Sequence, residues 1–146
     1  MTVKLLQERS ESTRQLMLKM IGNTQSIYYK NYAEQKFYPP DYLFRISEGL
    51  TLTFSGEKAE VFYPGPSQAP DKVVVYFPSR KLLFGSCMIL GGNTMGNVAE
   101  ADLKHWPEAI RKLFRFEVDV VVPGHGDGLD PGLIQHTLDL LLKNTP

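Results

Sequence analysis

"LTLTFSGEKAEVFYP" (residues 50–64) and "KVVVYFPSRKLLFG" (residues 72–85) decide how this chain folds. Leu50, Leu52 and Phe54 alternate with threonines at a period of two, which is the spacing of a strand with one apolar face. Gly56-Glu57 supplies a turn, and "AEVFYP" alternates again. "KVVVYF" and "KLLFG" are then joined by Pro78-Ser79-Arg80, which reads as a hairpin. The expectation is four strands in an antiparallel meander.

Outward from the meander the period lengthens. After the glycine-rich "GGNTMGN", the stretch "EADLKHWPEAIRKLF" (residues 100–114) reads as a helix with Leu103, Trp106, Ile110, Leu113 and Phe114 along one side. "VDVVVPGHG" is a short buried strand ending in a sharp turn. "DPGLIQHTLDLLLKN" closes the chain as a helix, with Asp130 as its cap and Pro131 in its first position. Strands followed by helices on one face define an α+β layer.

The first 45 residues have a different character. Ser10 or Ser12 is positioned to cap a helix whose apolar face carries Leu16, Met17, Met20 and Ile21 and which Gly22 stops. A second helical stretch follows through Ile27, Tyr28, Tyr32 and Phe37, and Pro39-Pro40 ends it. Five of the seven tyrosines fall between positions 28 and 42, and they read as part of an amphipathic helix packed on something rather than as a platform for stacking bases. One partial domain is expected over residues 1–146, with a helical segment at 1–45 and the strands and later helices at 50–146.

A chain of 146 residues with 42% hydrophobic and 22% charged residues has the make-up of one ordinary globular domain. Sixteen basic residues balance sixteen acidic ones without clustering, which argues against a nucleic-acid or membrane-surface partner. No stretch approaches the roughly 18 apolar residues of a membrane span, and the N-terminus lacks a signal-peptide pattern. A cytoplasmic start is the expectation for the chain as written. The single cysteine excludes an internal disulfide.

Two places are built for exposure. In "FGSCMI" a strand runs out in small residues just before Cys87, leaving a thiol that could serve as core filler, metal ligand or nucleophile. In "VVVPGHGDG" an apolar strand stops abruptly at Pro123-Gly124-His125-Gly126. A histidine between two glycines at a strand's end is suited to a ligand or acid-base role. His105 and His136 lie on expected helices and read as ordinary helix residues.

"EVFYPGPSQAPDKVVVYFPSRKLLFGSCMI", "GNVAEADLKHWPEAIRKL" and "VVPGHGDGLDPGLIQHTLDLLL" together resemble the C-terminal half of a class B metallo-β-lactamase of the first, cysteine-containing subclass. "SESTRQLML" upstream resembles the helix that follows that family's principal zinc motif. The resemblance implies one αβ half of an αβ/βα sandwich, with a zinc site along the edge between the halves and a β-lactam as ligand. It implies Cys87 and His125 as two of the three protein ligands of the second zinc, and Asn97 at the position that helps hold the lactam carbonyl.

The departures are as informative. Gln68, in "GPSQAPDK", stands where the family has a first-zinc histidine, and Ser67 replaces a glycine. Leu90 stands where a lysine pairs with the antibiotic's carboxylate. The family's H-x-H-x-D-H motif is absent, so two of six ligands remain. A catalytic zinc normally has three protein ligands. The resemblance therefore implies a truncated family member whose zinc binding and hydrolysis are weak or absent in this chain alone. Its relatives are periplasmic.

Half a sandwich would also lose the cover of its inner sheet face, at residues such as Val73, Val75 and Phe77 or their alternates. A homodimer, or a complementing N-terminal half, is the expected remedy. The alternative to a remnant enzyme is a non-catalytic homodimerising or partner-binding module. A cysteine hydrolase built on Cys87 and His125, and a glyoxalase-type thioester hydrolase, are weaker alternatives.

Overall fold

The computed structural model describes residues 2–36, 38 and 41–144. Two compact units divide the chain, Met1–Leu43 and Phe44–Pro146.

The first unit contains helices α1 (Thr2–Ile21) and α2 (Ile27–Glu34). Neither Ser10 nor Ser12 is a cap. The residues before them include no glycine or proline, so the helix continues through both serines. Gly22 does end it, at φ +65, a left-handed geometry that glycine adopts without Cβ strain. Ser26 caps α2 by accepting from the Tyr28 amide at 3.1 Å, and the Arg14 guanidinium donates to the Gln35 carbonyl at 2.6 Å. Phe37 and Pro39-Pro40, the expected end of the second helix, lie outside the described residues. No helix among the described residues is long and apolar enough to cross a membrane.

The second unit is a five-stranded sheet in the order of the chain: β1 (Leu50–Phe54), β2 (Glu57–Phe62), β3 (Val74–Phe77), β4 (Leu82–Phe84) and β5 (Val120–Val122). The first four form the antiparallel meander, and β5 joins β4 in parallel, pairing Leu83 with Val121. The parallel pair is possible because the intervening chain crosses over through α3 (Trp106–Arg111), with α4 (Leu133–Asn144) following β5. The result is an α+β layer.

The expected helix over residues 100–114 is much shorter in the structure. Its α-helical part is α3, continued by a 3-10 turn from Lys112 to Arg115. Asp102 holds the chain in a turn beforehand, its Oδ1 accepting from the His105 amide at 3.0 Å, and Pro107 sits in the first turn of α3, where a missing N–H is harmless. Trp106, Ile110 and Leu113 are buried as expected, whereas Phe114 is exposed.

Alternation separates the sheet's two faces. Val74, Tyr76, Leu83 and Val121 enter the core with Trp106, Ile110, Leu138 and Leu141. On the other face Leu50, Val61, Val75, Phe84 and Val122 form one cross-strand row. Leu52 pairs with Ala59 beside it, and Phe77, Leu82 and Val120 pair in the same direction. Only Ala59 in these rows is buried. The face anticipated at Val73, Val75 and Phe77 therefore carries Val75 and Phe77, while Val73 lies before β3 begins.

Candidate functional site

Past β4 the backbone enters the left-handed region at Ser86 (φ +52) and makes a short 3-10 turn through Cys87 to Met88. Past β5 it bends at Gly124, and strand-like pairing resumes as a parallel bridge between Leu90 and His125. Gly124 permits this meeting, since a Cβ there would overlap the Ser86 carbonyl and crowd the Cys87 amide. The Gly124 amide donates to the Ile89 carbonyl at 3.2 Å, and the Gly91 amide to the His125 carbonyl at 2.9 Å. Gly126, at φ +86, has the Gly91 backbone where a Cβ would be.

Gln68, Cys87, Leu90, Asn97 and His125 consequently line one open cavity of about 310 Å³, with the loop from Gly92 to Asn97 as its remaining wall. Cys87 is half-buried and His125 exposed, while Leu90 is almost fully buried and contributes an apolar floor. The Gln68 amide donates to the Asn97 carbonyl at 3.1 Å, tying the two walls together. The Asn97 side chain is turned inward on its own loop, its Oδ1 accepting from the Ala99 amide at 3.0 Å. Ser67 is fully buried and its hydroxyl has no hydrogen-bond partner among the described residues.

Two residues that sequence reasoning passed over support this cavity. His136 Nε2 lies 2.9 Å from the Gly92 carbonyl, and buried Thr137 accepts from the Leu90 amide at 3.0 Å while donating to the Leu133 carbonyl at 2.7 Å. Helix α4 thus holds the loop and the floor. No local pattern announces this, because the bonds join positions more than 40 residues apart in sequence. His105 does not join the cavity. It pairs through Nδ1 with Asp102 Oδ2 at 2.8 Å, and this bond, with that from the His105 amide, holds the Asp102 carboxyl below its ordinary range.

The donors do not amount to a zinc-hydrolase centre. A thiolate and an imidazole suit zinc, but a catalytic site normally takes three protein ligands. Among the described residues no group of three or more histidines, cysteines or carboxylates could hold a metal ion. The Gln68 side chain, on the wall of the same cavity, commits its amide N–H to the Asn97 carbonyl.

No protein-family profile matches the chain. The chain is 39% identical over 94 residues to the metallo-beta-lactamase type 2 of Bacillus cereus, a match over 62% of this chain and 37% of that protein. It is 34% identical over 99 residues to the enzyme of the same name from Bacteroides fragilis, covering 65% of this chain and 40% of that one. A solved metallo-beta-lactamase from Pontibacter korlensis superposes with a TM-score of 0.68 at 42% identity, over 77% of this chain and 53% of that chain. The chain is a relative of the class B metallo-β-lactamases and matches a part consistent with their C-terminal half. It spans less than half the length of those curated relatives.

Proposed function

We propose that this chain supplies one wall of a metallo-β-lactamase-type site and does not hydrolyse β-lactams by itself. The observation that carries this reading is the cavity wall itself. It gathers Cys87 and His125 as the two metal-type donors, while Gln68 and Leu90 occupy neighbouring positions with an amide and a hydrocarbon. Family hydrolysis needs a metal-generated nucleophile, and two side chains do not hold a metal in the geometry that demands. A third donor from outside these 146 residues would be required. In such an assembly Asn97 would lie beside the bound lactam.

The test is native mass spectrometry of the protein with zinc, alongside turnover of a chromogenic cephalosporin. Weak zinc uptake that disappears in Cys87→Ser, with no turnover above background, is the expected result. Stoichiometric zinc with sustained turnover by the chain alone would overturn the proposal.

A second reading, that of a non-catalytic module that associates with itself or a partner, is favoured by the half-exposed apolar face of the sheet. It predicts association indifferent to chelators and to Cys87→Ser. The cysteine-hydrolase reading loses ground, because no hydrogen bond among the described residues links the Cys87 thiol to the His125 ring.

A further inference from the structure

Met95 adds a second sulfur to the cavity that holds Cys87 and His125. It belongs to the loop from Gly92 to Asn97, is half-buried, and both packs on the core and lines the cavity of about 310 Å³. The loop is held at both ends, by His136 Nε2 at 2.9 Å from the Gly92 carbonyl and by the Gln68 amide at 3.1 Å from the Asn97 carbonyl. The turn after β4, the turn after β5 and this loop therefore bring a thiol, an imidazole and a thioether to one place. Among the described residues none of these three side chains has a hydrogen-bond partner.

The surroundings select among cations. No carboxylate, lysine or arginine lines the cavity, and Leu90 gives it an apolar floor. A Cys87 thiolate carries one negative charge, so a monovalent cation bound there makes a neutral complex, whereas zinc would leave a net positive charge beside hydrocarbon. Softness points the same way. Zinc takes thiolate, imidazole or carboxylate, and a thioether is not among its usual partners. Thiolate and thioether sulfurs suit copper(I). Methionine's three rotatable bonds let its sulfur adjust to the ion.

We propose that Cys87, His125 and Met95 form a three-coordinate copper(I) site with two sulfur ligands and one nitrogen. The thiol proton passes to solvent as the copper–sulfur bond forms, and the copper remains cuprous, so no electron is transferred. Met95 does not supply the donor that zinc hydrolysis lacks, because a thioether adds little to zinc binding. Its contribution is confined to a soft ion. The inference rests on the reading of Cys87 and His125 as metal-type donors; it changes the metal and adds the third ligand.

The experiment is anaerobic competition of the full chain with the coloured copper(I)–bicinchoninate complex in ascorbate, beside a parallel competition for zinc with a chromogenic chelator. The forms compared are the unsubstituted chain, Met95→Leu, Cys87→Ser, His125→Ala and, as a control, Met20→Leu, whose methionine is exposed on α1. Far-UV circular dichroism checks that each is folded. Expected is stoichiometric copper(I) uptake, weakened at least about tenfold by Met95→Leu, further by Cys87→Ser and His125→Ala, and unchanged in Met20→Leu. Zinc uptake should be weaker than copper uptake and indifferent to Met95→Leu. X-ray absorption at the copper edge should show two sulfur neighbours in the unsubstituted chain and one in Met95→Leu. Copper uptake that tolerates Met95→Leu overturns the three-ligand site. Zinc held through Cys87 with no copper uptake overturns the copper site and leaves the proposed function standing, whereas binding of neither ion overturns both.

Discussion

The Gln68 side chain donates a hydrogen bond to the backbone carbonyl of Asn97 at 3.1 Å, joining residues 29 apart in sequence across the mouth of the cavity. The bond is solvent-exposed, so its contribution to global stability is small. Gln68→Ala is expected to cost about 0.5 kcal/mol, at the low end for a hydrogen bond. Its larger effect is local. Amide hydrogen exchange in residues 94–97 should accelerate while the strands keep their protection. Unchanged exchange in that loop would show that the bond does not restrain it.

Ser67, the residue before Gln68, carries a buried hydroxyl without a partner among the described residues. An unsatisfied buried polar group costs about 1–3 kcal/mol, whereas removing it restores apolar packing. Ser67→Ala should therefore raise the urea midpoint, by about 1 kcal/mol of stability. A fall in the midpoint would mean that the hydroxyl is satisfied in solution.

Gly124 is the hinge of the site, since a Cβ there would overlap the Ser86 carbonyl. Gly124→Ala is expected to destabilise by at least about 2 kcal/mol, because backbone rather than a flexible side chain must move. It should also increase the rate at which a thiol reagent labels Cys87, whose amide lies against the same position. Thermal unfolding and labelling kinetics read the two effects separately.

Thr137 satisfies the buried Leu90 amide from the facing helix. Thr137→Val keeps the shape and removes the oxygen, so the amide is left unpaired at a cost of about 1–3 kcal/mol. Thr137→Ser keeps the acceptor and should lose less. A loss in Thr137→Ser larger than that in Thr137→Val, measured by urea denaturation, would assign the greater part to the methyl group and overturn the role given to the hydroxyl.

Asp102 has its carboxyl held below the ordinary range, first by the hydrogen bond from the His105 ring and then by that from the His105 amide. A folded-state pKa below the unfolded one means a contribution that is complete above the unfolded value, about 3.9, and lost as pH falls through the folded value. Below about pH 4 the unsubstituted chain should lose stability faster than Asp102→Asn, which retains an amide oxygen to accept from the His105 backbone. The pair is exposed, so added salt should shrink the difference. Parallel pH profiles for the two proteins would remove the ion pair from the account.

The meander was legible in the sequence because a strand's period of two is a local property, and Gly56 and the Pro78-Ser79-Arg80 turn are local punctuation. Glycine at position 22 ended α1 for the same reason. The failures were also local. Ser10 and Ser12 look like caps only until the helix-compatible residues before them are weighed, and Asp102 with Pro107 shortened the expected helix over residues 100–114 by occupying its first turns.

Sequence alone determined the composition of the site, its departures from the family pattern at Gln68 and Leu90, and the two apolar periods that make a sheet and its covering helices. Only the tertiary structure decided what those residues meet. Folding brought His125 and Cys87 to one cavity through the close approach at Gly124, tied Gln68 to Asn97, recruited His136 and Thr137 to hold the cavity from α4, and set Phe84 and Ala59 on one half-exposed face. The division has a physical cause. Periodicity and turn chemistry act over a few residues, whereas close approaches and hydrogen bonds across 29 to 47 positions depend on how the sheet and helices pack.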